Sequence, residues 1–250
     1  MRALIITVAG MSTRFSESIG APCLKCLYSE NGDGDSLLSR FLTQSEGIDK
    51  YIIVGGYRFE ELQNTIKNFD EKLQEKIILI NNDKYSLYGS GYSLFLGMQT
   101  ALKYSFEEIV FAEGDLFLDP DSFMRVLNSS KPVITVNSEP IHAKKSVVFY
   151  YDTKYGLHYL YDTGHSELYI KEPFVEIHNS GQVWKFWNNE CMRAAWNELT
   201  ETDWQGTNLV FIQNYFSRMN PEEYEIIRFD KWINCNTVHD FRRIKEESLK

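Results

Sequence analysis

Over the first half of the chain, short apolar runs alternate with stretches in which apolar residues recur every three or four positions. Residues 3–8 are nearly all apolar, the pattern of a strand buried on both faces. Residues 51–54 (closed by Gly55-Gly56), 77–80 and 108–112 repeat that pattern. Between them, Leu37, Leu38, Phe41 and Leu42 behind a capping Ser36 predict a helix. Phe59, Leu62, Ile66 and Phe69 predict a second helix. Leu94, Phe95, Met98, Ala101 and Leu102 predict a third, starting near Ser90-Gly91. Asp119-Pro120 reads as the cap and first turn of another. Strands separated by single helices predict a parallel sheet with right-handed crossovers and helices on both faces. Ligands of such sheets bind beyond the carboxyl ends of the strands.

The second half changes texture. Residues 132–136 read as a strand, and residues 147–151 with 157–161 as a hairpin turning at 153–156. The segment from about 140 to 205 holds Trp184, Trp187, Trp196 and Trp204. It is expected to form a small aromatic-rich β lobe, inserted over the strand ends of a single domain spanning 1–250. Helices are expected over about 188–199 and 206–218, and a strand over 225–229. A last helix starts near Thr237, with Asp240 as capping partner. The expected class is therefore α/β, a mixed but mostly parallel Rossmann-like sheet flanked by helices.

Composition narrows the functions. A chain of 250 residues with 43% hydrophobic and 24% charged residues is neither disordered, collagen-like nor coiled coil. The net charge of −9 argues against nucleic-acid or anionic-membrane partners. A small anionic substrate then depends on locally placed Lys, Arg and backbone N–H groups. No stretch approaches the ~20 apolar residues of a membrane-spanning helix, and the amino-terminal run is too short for an export signal. The expected location is cytoplasmic. Cys23 and Cys26 form a lone C-x-x-C without a second pair, and His142, His158, His165, His178 and His239 show no ligand spacing.

Three clusters carry candidate chemistry, each following a strand. Ala9-Gly10-Met11-Ser12-Thr13-Arg14-Phe15 succeeds the first strand, with Lys25 further on. A small-residue turn lets backbone N–H groups approach phosphate oxygens, which Arg14 and Lys25 can neutralise. The spacing matches neither a Walker A loop nor a dinucleotide fingerprint, and a plain polar turn is the alternative. Tyr88-Gly89-Ser90-Gly91 opens the third predicted helix. Its glycines allow close approach to a flat ring and Ser90 offers a donor and acceptor; a simple helix cap is the alternative. Glu113-Gly114-Asp115 follows the fourth strand, where a carboxylate suits a hard divalent cation.

The loop 9–15 followed by Leu24-Lys25-Cys26-Leu27 resembles the signature of sugar-nucleotide pyrophosphorylase-like nucleotidyltransferases of GT-A-like fold, in particular their phosphocholine cytidylyltransferase-like branch. That resemblance implies nucleotidyl transfer, most specifically of CMP from CTP, to a phosphorylated or phosphonate acceptor, with Mg²⁺ as cofactor. It implies that Ala9, Gly10, Met11, Ser12, Thr13, Tyr88, Gly89 and Ser90 hold the nucleotide and that Arg14 and Lys25 act on its phosphates. Asp115 and Asn236, the latter in Trp232-Ile233-Asn234-Cys235-Asn236-Thr237, would be the metal ligands, with Asp230 as a spare carboxylate. Lys171 and Glu172 of Lys171-Glu172-Pro173 stand where sugar-activating relatives hold the acceptor. Met11-Ser12-Thr13 and the spacing of Pro22 from Lys25 depart from the family pattern. The rival readings are a sugar-1-phosphate nucleotidyltransferase, a GT-A glycosyltransferase and a non-catalytic nucleotide-binding protein; a homodimer is compatible with all of them.

The aromatic lobe adds one expectation. Tyr159 and Tyr161 would share a strand face that Trp184 meets from a neighbouring strand, with Glu172 or Glu176 nearby. Such rings attract an ammonium group, pointing to an acceptor such as phosphocholine, phosphoethanolamine or an aminoalkylphosphonate. The alternative is that these rings are core.

Overall fold

Because successive side chains of a strand point to opposite faces, the first strand supplies two cores at once. Ala3 and Ile5 enter one apolar cluster and Leu4 and Ile6 another, and all four are fully buried. The computed structural model describes residues 1–30, 35–144, 146–160 and 166–248. Its elements begin with β1 (Arg2–Thr7), α1 (Thr13–Ile19), α2 (Leu37–Gln44), β2 (Lys50–Gly55), α3 (Phe59–Ile66), α4 (Glu71–Lys76) and β3 (Ile77–Asn81). There follow α5 (Ser90–Lys103), β4 (Glu108–Glu113), β5 (Leu116–Leu118), α6 (Pro120–Asn128), β6 (Val133–Val136), β7 (Val148–Asp152) and β8 (Leu157–Leu160). The chain continues through β9 (Phe174–Trp187), α7 (Glu190–Asn197), α8 (Glu201–Gln205), α9 (Leu209–Phe216), β10 (Glu225–Arg228), β11 (Trp232–Asn234) and α10 (Val238–Ser248). Among the described residues no helix is long and apolar enough to cross a membrane.

The central sheet runs β10-β6-β9-β4-β1-β2-β3. The pairs β1–β2, β2–β3 and β1–β4 are parallel, as the alternating pattern predicts. The chain steps outward from β1 to β2 and β3, then returns to the other side of β1 as β4. The crevice at that reversal, outside the strand ends, is where open α/β sheets bind ligands. It receives the segments following β1 and β4. The predicted caps form: Ser36 Oγ accepts from the Ser39 N–H, and Asp119 from the Ser122 N–H. Asp240 accepts from the N–H groups of Asn236 and Thr237.

Several expectations need correction. The periodic stretch through Phe69 is not one helix: α3 stops at Ile66 and α4 restarts behind the capping Asp70. The three-residue β5, which pairs with β11, is too short to register as periodicity. The largest departure is β9. Its first half extends the β7–β8 hairpin, but its second half enters the central sheet antiparallel to both β4 and β6. The segment 140–205 is therefore not a separate β lobe. It contributes a central strand, and α7 and α8, packed against α9 and α5, add Met192, Ala195 and Trp204 to the core on one face of the sheet. Tyr161 and His165, and with them the proposed pairing of Tyr159 with Tyr161, lie outside the described residues.

Trp184 accordingly belongs to the core and not to an acceptor pocket. It is fully buried, stacks on Phe111 at 5.3 Å and 12°, and donates its indole N–H to Tyr159 Oη at 2.8 Å. Trp196 and Trp204 join Phe95 in a ring cluster on the same face.

Candidate active site

The loop after β1 is held open by a left-handed residue. Ser12 has φ 54°, and its Oγ accepts the Lys25 N–H at 3.3 Å, which ties the loop to the turn carrying the lysine. The N–H groups of Gly10, Met11 and Ser12 find no acceptor among the described residues. A Cβ on Gly10 would meet nothing within 4 Å, so the space beside this backbone is open. Arg14 is exposed beside it and forms no ion pair among the described residues.

Gly114 brings the second segment underneath. A Cβ there would lie 2.3 Å from Val8 Cγ1, and the Gly114 N–H donates to Thr7 O at 3.0 Å. Only glycine lets the end of β4 press against β1 so closely, and this places Asp115 under the loop. Asp115 Oδ2 takes a 2.7 Å ion pair from Lys25 Nζ, while its buried Oδ1 has no hydrogen-bond partner. The Cys235 N–H donates to Asp115 O at 2.8 Å, which fixes Asn236 at the same wall. The Asn236 amide N–H donates to Asn234 Oδ1, leaving its carbonyl oxygen available to the cleft. Asp230 is elsewhere: it is exposed and pairs with Arg125. Asn236, and not Asp230, stands with Asp115.

Glu113, present in the motif but given no role from sequence, lines the same wall. Loss of hydration, reinforced by the neighbouring Asp115 charge, pushes its carboxyl up to about 7, against the Asn208 hydrogen bond and Lys25. The Asn208 amide donates to Glu113 Oε1 at 2.9 Å. Among the described residues no three His, Cys, Asp or Glu side chains converge on one point. Even so, a carboxylate with an unpartnered buried oxygen, a second carboxylate and an amide carbonyl form an all-oxygen set. It suits Mg²⁺, which needs only one or two carboxylates beside substrate phosphates. The C-x-x-C is not part of this set. All four cysteines are free, and burial pushes the Cys26 thiol up, away from the reactive thiolate.

Two clefts meet at this wall. The first, about 410 Å³, is lined by the whole predicted nucleotide set from Ala9 to Arg14, Lys25, Tyr88, Gly89 and Ser90, and adds Asn82, Tyr85 and Ser93. The second, about 400 Å³, shares Arg14, Gly89, Ser90, Glu113, Asp115 and Asn236 with it. It extends toward Lys144, Ser146, Gln182 and Thr207. Neither Lys171 nor Glu172 lines either cleft. Both are exposed on the approach to β9, and Glu172 accepts the Tyr150 hydroxyl instead. Ser166 and Leu168 line the second cleft but Lys171 and Glu172 do not, so the expected acceptor role does not fit their placement. Among the described residues no aromatic ring lines the second cleft, and neither Tyr159 nor Trp184 reaches it.

The glycines at α5 also have a different purpose from the expected one. A Cβ on Gly89 would lie 2.2 Å from Gly206 O, and one on Gly91 would lie 2.9 Å from Trp204 O. They admit the backbone at the end of α8, to which the Gly89 and Gly91 N–H groups donate, while Gly89 also lines the first cleft. Gly89→Ala is expected to push this junction apart and cost about 1–3 kcal/mol, read as a lower midpoint in denaturant unfolding. An unchanged midpoint would show that the junction has slack.

The architecture is that of known nucleotidyltransferases. The fold is similar to the inositol-1-phosphate CTP transferase from T. maritima, at TM-score 0.67 and 17% identity over 99% of this chain and 95% of that one. It is similar to the CTP:phosphocholine cytidylyltransferase LicC from Streptococcus pneumoniae, at TM-score 0.59 and 17% identity over 100% and 99%. It is also similar to a putative glucose-1-phosphate thymidylyltransferase from Bacillus anthracis, at TM-score 0.66 and 12% identity over 99% and 95%. The likeness read from the motifs thus extends to the fold. No curated protein matches the sequence. The chain belongs to the family described as domain of unknown function (DUF6564), whose model matches residues 21–248.

Proposed function

We propose that this DUF6564 member is a nucleotidyltransferase that joins the nucleotidyl group of an NTP, most specifically CMP from CTP, to a phosphorylated small-molecule acceptor. The observation that carries this reading is the shared wall: two clefts of similar size meet at Arg14, Glu113, Asp115 and Asn236. That layout seats two substrates with their reacting groups at one place. The acceptor's phosphate oxygen bonds to the α-phosphorus, the bond from that phosphorus to the bridging oxygen breaks, and pyrophosphate leaves.

The chain's work is positioning and charge neutralisation. The open N–H groups of residues 10–12 take phosphate oxygens, and Arg14, facing both clefts, neutralises charge where they join. Lys25, paired with Asp115 at 2.7 Å, would be freed to neutralise the phosphates wherever that carboxylate holds a cation. Asp115, Asn236 and Glu113 would hold Mg²⁺, which supplies Lewis-acid stabilisation of the phosphoryl oxygens when bound. Tyr85 and Tyr88 offer ring faces to the base. The Asn82 amide is consumed by Ser93 Oγ at 2.9 Å and by the Lys84 N–H. Ser93 Oγ accepts from the Asn82 amide and Ser90 Oγ from the Asn208 N–H, which leaves the two O–H donors to read the base edge. CTP is favoured because two of the structures of similar fold are named for CTP-using enzymes and because the motif likeness is to the cytidylyltransferase branch.

The test is pyrophosphate release with Mg²⁺ and each of CTP, UTP, ATP and GTP across a panel of phosphorylated acceptors. Turnover is expected, with CTP best. CTP alone is expected to raise the melting temperature with the logarithm of its concentration above Kd. Equal shifts from all four nucleotides would mean the base is not read, and no release with any pair would sink the transfer reading.

A further inference from the structure

Gln182 sits where the pairing of β9 with β6 slips. Ile134 faces Trp184, but Val136 faces Ser180, so the register shifts between them. At this bulge Gln182 adopts φ 56°, a left-handed conformation that costs a non-glycine residue about 1–3 kcal/mol. Its side chain is 4% exposed and lines the second cleft, and its amide has no hydrogen-bond partner among the described residues. A strained backbone thus presents an unpartnered amide to the cleft.

The surrounding side chains hold it there. Ser180 Oγ accepts the Gln182 N–H at 3.1 Å. Thr135 Oγ1 accepts the Val183 N–H at 3.1 Å and donates to Val183 O at 2.6 Å. Trp232 donates its indole N–H to Gly181 O at 2.8 Å, and the Asn137 amide donates to Ser180 O at 2.7 Å. A Cβ on Gly181 would lie 2.5 Å from Thr135 Oγ1, so glycine is what lets Thr135 clasp the bulge. Bulges of this kind re-aim a side chain beside a site.

The cleft around Gln182 mixes polar and apolar groups, and its two carboxylates, Glu113 and Asp115, belong to the wall it shares with the first cleft. Ser146, Ser166, Thr207, Asn208 and Asn234 line it, with Lys144 and Arg14 as its cations. A primary amide that both donates and accepts suits a hydroxyl, whereas a quaternary ammonium would leave the amide unpaired and a primary ammonium, a donor only, would leave its N–H groups unpaired. We propose that Gln182, aimed into the second cleft by the β9 bulge, hydrogen-bonds a hydroxyl of the acceptor and so selects a phosphorylated sugar or polyol over a phosphorylated amine. This rests on the reading that the second cleft receives the acceptor.

The experiment measures binding apart from turnover. Glucose 1-phosphate, sorbitol 6-phosphate, phosphocholine and phosphoethanolamine are titrated calorimetrically into the full chain, with and without CTP and Mg²⁺. The same titrations use Gln182→Leu and, as a shorter amide at ease in the left-handed region, Gln182→Asn. A hydroxylated phosphate is expected to bind the native chain at least about tenfold more tightly than either amine. Gln182→Leu is expected to lose about ten- to a hundredfold of that affinity, as sites that pair a substrate hydroxyl do. The CTP-induced melting shift and amine binding should stay as they were. Amines binding as tightly as the hydroxylated phosphates, no binding of any hydroxylated phosphate, or wild-type affinity in folded Gln182→Leu overturns the assignment. Binding that depends on Gln182 without pyrophosphate release would sink nucleotidyl transfer and leave this assignment standing. Release that Gln182→Leu leaves unaltered would do the reverse.

Discussion

Asp115→Asn is expected to lower pyrophosphate release about a thousandfold, since a cation-held phosphoryl site is worth several kcal/mol and each 1.4 kcal/mol is tenfold. The substitution keeps the shape of the side chain and removes one negative charge from the wall where both clefts meet. Its unpartnered Oδ1 is the best-placed oxygen for a divalent cation, and its Oδ2 holds Lys25 at 2.7 Å until the phosphates arrive. Without that charge the cation binds weakly and Lys25 loses its resting partner. Stability should change little. The lost ion pair, at side-chain exposures of 18% and 21%, is offset by no longer burying a carboxylate with one oxygen unpaired. Thermal melting within a few degrees of wild type, together with a higher Mg²⁺ requirement for residual turnover, is the expected pair of results. Near-native turnover would remove Asp115 from the reacting centre.

Trp184→Ala should act in the opposite sense, on stability and not on acceptor recognition. The ring is fully buried between Phe111 and Tyr159, at the crossing of β9 with β4 and β6. Removing a buried Trp costs about 3–5 kcal/mol, and for a chain of this size each kcal/mol is roughly 2–4 °C of melting temperature. The Tyr159 hydroxyl also loses its indole donor. Trp184→Phe should recover part of the loss by refilling the volume. At a temperature where the variants remain folded, acceptor KM should match wild type. Near-native stability combined with a lost acceptor would return the ring to the pocket and contradict its burial.

The apolar runs of β1, β2, β3 and β4, the caps at Ser36, Asp119 and Asp240, and the loop and Gly-Asp segments after β1 and β4 were legible in the sequence. Each is decided locally: by side-chain periodicity, by a polar atom within reach of a free N–H, or by a small residue at a strand end. The pairing partners of β9 were not legible, because alternation within a strand says nothing about which sheet receives it. From that one pairing follow the burial of Trp184 and the bulge at Gln182. The reason for Gly89 and Gly91 was hidden likewise, since the carbonyls they admit belong to residues 204–206. The choice of Asn236 over Asp230 waited on β11 pairing with β5, which carries the Cys235 N–H onto the Asp115 carbonyl. Local chemistry thus placed the first cleft, where the groups follow strands in order. Contacts between residues far apart in the chain built the second, because no local pattern records which distant strand will lie alongside.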